Sequence, residues 1–183
     1  MLTYGRVVAV PILAAMMFWS DEFWMRWASL GVFSIAAITD FLDGYLARVL
    51  SQQSSLGRML DPIADKLLVA AVLMMLVADR TISGWSLCAA VVILCREILV
   101  SGLREYLAEL RVSVPVSKIA KWKTTAQILA LGFLIAGPSG EGVVPGTVKI
   151  GITLLWIAAI LTLYTGGAYM KAGFKHVIDD EDG

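Results

Sequence analysis

Long apolar blocks alternate with short polar breaks along the whole chain. Each block is near or above the ~17–25 residues that a helix needs to cross a bilayer, the first being the shortest. The blocks cover residues 4–19, 23–49, 60–77, 82–110, 119–136 and 148–170. The pattern predicts an all-α integral membrane protein with six transmembrane helices.

Composition supports a membrane protein. The 183 residues are 58% apolar and 16% charged, whereas soluble domains run near 45–50% apolar with about 25% charged residues. No soluble domain or internal repeat interrupts the apolar blocks, so we expect one membrane domain over 1–183. Its acidic tail, 172–183, is predicted to be disordered.

The rarity of histidine and cysteine limits the possible chemistry. The chain has two cysteines and one histidine, and this histidine, His176, lies in the polar tail. A histidine-rich zinc site and a Ser-His-Asp hydrolase are therefore excluded, and metal chemistry must rest on carboxylates.

The distribution of Lys and Arg predicts the orientation. With both termini in the cytoplasm, eleven of these residues lie on the cytoplasmic side and three on the opposite side. Positive charge is retained on the cytoplasmic side of membrane proteins. The connection between the second and third spans is thus predicted to be cytoplasmic.

Four aspartates flank that connection. Asp40 and Asp43 are three residues apart at the end of the second span, and Asp61 and Asp65 are four apart at the start of the third. On helices each pair shares a face. A hairpin through the polar turn at 50–57 would bring the four carboxylates together.

Clustered carboxylates at a membrane interface need a positive partner, because they repel one another and resist desolvation. Ligands that are all oxygen favour Mg²⁺, Mn²⁺ or Ca²⁺, and four carboxylates suit two ions better than one. The alternative is that these residues are solvated charges and helix caps. Asp61 before Pro62 has the sequence of a helix start.

The spacing D-x2-D-G-x2-A-R-x8-G-x3-D-x3-D over residues 40–65 resembles the signature of the CDP-alcohol phosphatidyltransferase family at all eight fixed positions. Three further stretches are similar to the bacterial branch that uses glycerol 3-phosphate as its acceptor. They read RMLDPIADK, REILVSGLREYLAEL and KIAKWKTTAQ.

The resemblance implies a division of labour among the aspartates. Asp40, Asp43 and Asp61 would coordinate two divalent cations, Mg²⁺ or Mn²⁺. Asp65 would also lie at the metals and act as the general base that takes the proton from the acceptor hydroxyl.

The resemblance also implies a binding site for the CDP-lipid. Gly44 and Ala47 would keep the helix surface low, Arg48 would bind the diphosphate, and Ser54 and Gly57 would lie at the nucleotide. Glycine permits close approach, and a guanidinium binds phosphate bidentately. The alternatives are small-residue helix packing for the glycines and alanine, and an interfacial positive charge for Arg48.

Basic residues in the second half of the chain suit a phosphorylated acceptor. Arg96 lies inside the fourth span, and Arg104 follows it two helical turns later. Lys121 and Lys123 lie near the start of the fifth span. A charge within a span is a candidate functional residue, because burying it in the membrane is costly. The alternatives are ion pairs between helices and lysines that only set topology.

Together, these features predict transfer of the phosphatidyl group from CDP-diacylglycerol to sn-glycerol 3-phosphate, with release of CMP. The same donor with inositol phosphate or phosphatidylglycerol as acceptor remains an alternative, and a divalent-cation carrier is a remote one. The predicted location is the bacterial cytoplasmic (inner) membrane, with both termini on the cytoplasmic side. The active site is predicted at the cytoplasmic ends of helices two and three. The predicted partners are the bilayer and a second copy in a homodimer, with no nucleic-acid polymer.

Overall fold

The computed structural model describes the backbone of residues 2–19, 23–50, 55–109 and 118–181. Side chains are described at residues 5, 7–19, 23–39, 63–64, 66–108, 119, 121–167 and 170. Everything below refers to these parts of the chain.

The described backbone forms six helices and no strand, which confirms the all-α prediction. They are α1 (Leu2–Phe18), α2 (Phe23–Leu50), α3 (Ser55–Ala78), α4 (Ser86–Glu109), α5 (Lys118–Gly140) and α6 (Thr147–Glu181). Each predicted span falls on one of these helices. Helix α2 extends to Leu50 and α3 begins at Ser55, so both ends of the predicted 50–57 turn are helical, and residues 51–54 lie outside the described residues.

Two helical stretches are long and apolar enough to cross a membrane, Ser86–Ala108 in α4 and Thr147–Gly167 in α6. Three shorter apolar stretches lie in α1, α2 and α3, at Val7–Phe18, Phe23–Thr39 and Lys66–Ala78. The topology with six crossings therefore stays a prediction.

An ion pair joins the start of α2 to the end of α3. Arg26 Nη2 donates to Asp79 Oδ2 at 2.9 Å, and Asp79 Oδ1 accepts the backbone N–H of Thr81 at 2.8 Å. The two helices are therefore antiparallel. We call the end that holds this pair the far end, and the end where α2 finishes and α3 begins the aspartate end.

The core is built from fully buried aliphatic side chains of five helices. Leu13 of α1, Leu76 of α3, Ile93 of α4, Leu131 of α5 and Leu155 of α6 are each at most 1% exposed. They belong to one continuous cluster. Phe33 and Ala36 of α2 belong to the same cluster, so the core holds all six helices together.

Helices α5 and α6 approach closely at Gly151. A Cβ atom added there would lie 2.8 Å from Leu134 Cγ and 3.2 Å from the backbone nitrogen of Leu134. A flexible side chain could move aside, but the helix backbone could not without separating the helices. Gly151 therefore sets the distance between α5 and α6.

A kink and a tight turn connect α5 to α6. Gly137 has φ 49°, which interrupts the helical geometry one residue before Pro138. Arg26 lies against Gly137 and leaves no room for a Cβ atom there. The turn-rich connection that the glycines and prolines predict thus begins inside the last part of α5.

The carboxylate of Glu141 caps the start of α6. Its Oε2 accepts the backbone N–H of Gly146 at 2.7 Å, and its Oε1 accepts that of Val148 at 3.1 Å. These two hydrogen bonds hold the pKa of Glu141 below its ordinary value.

The last helix is long. The backbone of α6 stays helical to Glu181, over most of the 172–183 tail. The side chains beyond Met170 lie outside the described residues. Disorder of this tail in solution stays a prediction.

The close approach at Gly151 gives a test of the α5–α6 packing. We expect Gly151→Ala to lower the Tm of the detergent-solubilised protein, because overpacking costs about 1–3 kcal/mol. Gly31→Ala is the control, since a Cβ atom at Gly31 meets nothing within 4 Å. Equal Tm values for the two variants would contradict the close packing.

The cap on α6 predicts a pH-dependent contribution to stability. Because the folded pKa of Glu141 is depressed, its contribution is present above the unfolded pKa of about 4.3 and is lost as pH falls through the folded value. Glu141→Gln should therefore lower the Tm at neutral pH, with a difference from wild type that shrinks in acid. Glu105→Gln, at an exposed position on α4, should leave the neutral-pH Tm unchanged. A Glu141→Gln difference that is constant with pH would contradict the assignment.

Candidate active site

The four aspartates lie on helical backbone at the aspartate end. Asp40 and Asp43 are in α2, and Asp61 and Asp65 are in α3. Their spacings of three and four residues therefore lie on helices, as the sequence predicts. Their side chains are outside the described residues, so the convergence of the carboxylates stays a prediction.

The short connection gives the two pairs a similar distance from the turn. Asp43 lies seven residues before Leu50, or ~10 Å along the axis, and Asp61 lies six residues after Ser55, or ~9 Å. In antiparallel helices these positions are at similar heights. The backbone register is thus compatible with a shared site.

The residues predicted to bind the CDP-lipid belong to the same region. Gly44, Ala47 and Arg48 lie in α2, and Gly57 lies in the first turn of α3. Ser54 falls in the gap at 51–54. All five side chains are outside the described residues, and their roles stay predictions.

Elsewhere, the described side chains offer no competing metal site. Among them, no group of three or more His, Cys, Asp or Glu residues could hold a metal ion. The candidate set that the sequence analysis identifies is the aspartate quartet of 40–65. Its donors are carboxylate oxygens alone, a set that fits Mg²⁺ or Mn²⁺.

A buried charged cluster links α4, α5 and α6. Arg96 Nη2 donates to Thr165 Oγ1 at 2.9 Å, and Arg96 Nη1 lies 3.5 Å from Glu97 Oε1. The same carboxylate oxygen is paired with Lys123 Nζ. We call these four residues the Arg96 cluster. It brings two cations and one carboxylate together.

Helix α6 accommodates this cluster with a small residue. A Cβ atom added at Gly166 would lie 3.1 Å from Arg96 Cγ and 3.2 Å from Arg96 Nε. The neighbouring Thr165 both accepts from Arg96 and donates its hydroxyl to the carbonyl of Leu161 at 2.9 Å. Gly166 thus lets the arginine stem lie directly on α6.

The four basic residues predicted for the acceptor divide into two groups. Arg96 and Lys123 share Glu97 inside the bundle, and Lys123 is only 7% exposed. Arg104 and Lys121 lie on exposed parts of α4 and α5. These contacts agree with the alternative of pairing between helices, since Arg96 bonds to Thr165 of α6 and Glu97 pairs with Lys123 of α5. A phosphate-binding role for the four residues is not tested by these contacts.

Sequence reasoning missed Thr165 and Gly166 as partners of Arg96. Both lie inside an apolar span, and a Thr-Gly pair in such a span is usually only a helix-packing feature. Gln127 of α5 is another polar side chain within an apolar span. It is 5% exposed, and its Oε1 has no hydrogen-bond partner among the described atoms.

The comparison with family models decides the classification. Residues 1–164 match the model of the CDP-alcohol phosphatidyltransferases. The chain belongs to this family. The resemblance that the eight signature positions indicate is therefore confirmed, and with it the dependence on divalent metal that is general in the family.

Named relatives are similar over nearly the whole chain. A protein of Rickettsia typhi is 44% identical over 171 residues, covering 93% of each chain. One of Shigella flexneri serotype 5b is 40% identical over 181 residues, covering 98% of this chain and 96% of the relative. One of Cereibacter sphaeroides is 35% identical over 213 residues, with the same coverage. Each is named CDP-diacylglycerol–glycerol-3-phosphate 3-phosphatidyltransferase.

The family also bears on the environment of the helices. Two apolar helices of spanning length, together with membership of this family, indicate a membrane protein. The exposed surface is compatible with lipid, since large apolar residues are widely exposed on it. They include Ile35, Met74, Val91, Ile98, Ile160 and Leu163.

Proposed function

We propose that this protein is a phosphatidylglycerophosphate synthase, which transfers the phosphatidyl group of CDP-diacylglycerol to sn-glycerol 3-phosphate. The observation that carries the proposal is the similarity, over 93–98% of the chain, to relatives named for this reaction. The eight signature positions at 40–65 support the donor half of the reaction.

The aspartates of α2 and α3 are proposed to hold two divalent cations, Mg²⁺ or Mn²⁺. Their donor set of four carboxylates fits two such ions. When bound, the cations would stabilise negative charge on the diphosphate and align the reacting groups. The ligands are Asp40, Asp43, Asp61 and Asp65.

The chemical step is a displacement at phosphorus. The primary hydroxyl oxygen of glycerol 3-phosphate bonds to the phosphatidyl phosphorus, and the bond from that phosphorus to CMP breaks. CMP leaves with the electron pair, while Asp65 takes the hydroxyl proton. A carboxylate with a pKa near 4 is a weak base, so the proton moves late in the step.

Residues around the aspartates are proposed to bind the donor head group. Arg48 binds the diphosphate through its planar guanidinium. Gly44 and Ala47 permit the cytidine and diphosphate to lie close to α2. Ser54 and Gly57 lie at the nucleotide.

The acceptor phosphate is proposed to bind at the basic residues of α4 and α5. The Arg96 cluster supports this, because it brings two cations, Arg96 and Lys123, together inside the bundle, and cations within a membrane span are candidate binding groups for a phosphate. Arg104 and Lys121 add exposed positive charge on the same helices. A phosphorylated acceptor suits this region, whereas serine or choline suits it poorly.

The proposed setting follows the positive charges. We place both termini and the active site in the cytoplasm and six helices across the bacterial cytoplasmic membrane. A homodimer is the proposed assembly. The proposed orientation rests on the distribution of Lys and Arg. The proposed homodimer rests on the resemblance to the family.

An acceptor panel tests the proposed function. Purified protein with CDP-diacylglycerol and Mg²⁺ should release CMP with glycerol 3-phosphate, but not with inositol phosphate or phosphatidylglycerol. A chelator should abolish release, and Mg²⁺ should restore it. Transfer to another acceptor would overturn the acceptor assignment. Metal uptake into liposomes without any CDP-lipid would indicate the carrier instead.

The proposed general base gives a second test. Asp65→Asn should lower kcat by about 10²-fold or more, because the variant cannot accept the proton. Binding of CDP-diacylglycerol should remain measurable, since three aspartates remain. Glu105→Gln, the exposed carboxylate of α4, is the matched control and should retain activity. A near-normal rate for Asp65→Asn would show that another group is the base.

A further inference from the structure

A groove of about 400 Å³ lies between α2 and α5. Its walls are almost entirely apolar, and Ser34 and Thr147 contribute its only polar side chains. The connection between α5 and α6 closes it at the far end, through Val143, Val144 and Thr147. A groove of this kind is too apolar for a nucleotide or a sugar phosphate.

On α2 the groove follows one stripe of the helix. Trp27, Leu30, Ser34, Ala37 and Ile38 line it, and spacings of three and four residues place them on one face. From Trp27 to Ile38 the stripe is ~16 Å long at 1.5 Å per residue. It therefore has the dimensions of a channel along the helix.

The stripe ends beside the proposed metal site. Ile38 is two residues before Asp40, or ~3 Å along the axis of the same helix. The groove thus begins where the diphosphate of the donor is proposed to lie and runs from there towards the far end. Any chain attached to that diphosphate can enter it.

Small residues of α5 provide the space. Gly132 and Ala136 line the groove opposite α2. A Cβ atom at Gly132 would meet only Leu30 Cδ1, at 3.7 Å, which is ordinary contact. The Cβ atom of a larger side chain at this position would therefore fit without a clash, and the rest of that side chain would extend into the groove.

We propose that one acyl chain of the CDP-diacylglycerol donor lies in this groove. The inference rests on the proposed function. Each leaflet contributes about half of a ~30 Å hydrocarbon core, so an acyl chain spans ~15 Å along the membrane normal. This matches the ~16 Å length of the stripe on α2. A chain tethered to a bound head group also has a high effective concentration at the groove.

The gain from this contact is packing rather than removal from water. Lipid tails are as apolar as the groove, so only van der Waals contact and the tether favour the bound chain. The groove therefore aligns the donor along α2 and contributes modestly to its affinity. A change in the groove should alter the KM for the donor by a modest factor.

Filling the groove tests the proposal. Gly132→Phe should raise the KM for CDP-dioleoylglycerol about fivefold to tenfold, as expected for lost packing within a membrane. The acyl chains of CDP-dioctanoylglycerol are too short to extend along the groove as far as Gly132. The KM for this donor should therefore be unchanged. The KM for glycerol 3-phosphate should also be unchanged with either donor.

Ala28→Phe is the matched control, because Ala28 is exposed on α2 and does not line the groove. It should leave the KM for both donors unchanged. Because the dioctanoyl donor uses the same head-group site, normal turnover of it by Gly132→Phe also shows that the variant is folded.

Several outcomes would overturn the proposal. An unchanged KM for the dioleoyl donor in Gly132→Phe places the chain elsewhere. An equal rise in KM for both donors would show that the groove only supports the fold. The same rise together with reduced crosslinking between copies would show that a second copy of the chain occupies the groove. If the wild type releases no CMP from either donor with glycerol 3-phosphate, the proposed function itself fails. This result differs from every outcome above, because in each of those the wild type is active.

Discussion

The arrangement of the bundle depends on the cost of placing charge among apolar helices. An ionised group away from water must be paired and hydrogen-bonded, or it destabilises the fold by several kcal/mol. Two pairings meet this requirement in the described side chains. Arg26 and Asp79 join α2 to α3 at the far end, and the Arg96 cluster joins α4, α5 and α6. Each pairing allows few arrangements of its helices, because displacement of one helix would leave a charge unpaired.

Close approach of the helices accompanies these pairings. Lipid removes much of the hydrophobic drive for helix association, so packing and interhelical hydrogen bonds determine how helices meet. Gly137 accommodates Arg26, Gly151 accommodates Leu134, and Gly166 accommodates Arg96. Two of these three glycines thus serve the ion pairs directly. The third holds together α5 and α6, which present Lys123 and Thr165 to the Arg96 cluster.

The sequence predicted the helices and the aspartate register well, because apolar block length and i, i+3 or i, i+4 spacing are local properties. It could not predict that Glu97 pairs with Lys123, 26 positions later, or that Arg96 bonds to Thr165, 69 positions later. Those contacts depend on the relative rotation of three helices. Helix α3 begins at Ser55, inside the predicted 50–57 turn, although Ser55 and Gly57 are residue types that are common in turns. The groove was also invisible in sequence, since its lining combines residues of two helices about one hundred positions apart.

The donor site and the acceptor region of the proposed reaction differ in the same way. One depends on residues close together in sequence, and the other depends on contacts between distant residues. The donor site depends on one hairpin, whose eight signature positions lie within 26 residues. The acceptor region depends on contacts between α4, α5 and α6, where Arg96 and Lys123 share the carboxylate of Glu97. A single change of charge or of helix rotation there would alter the match to a phosphorylated acceptor without touching the hairpin. Members of one family can therefore share a donor signature and differ in acceptor, and the identity of the acceptor has to be sought in the packing of the last three helices.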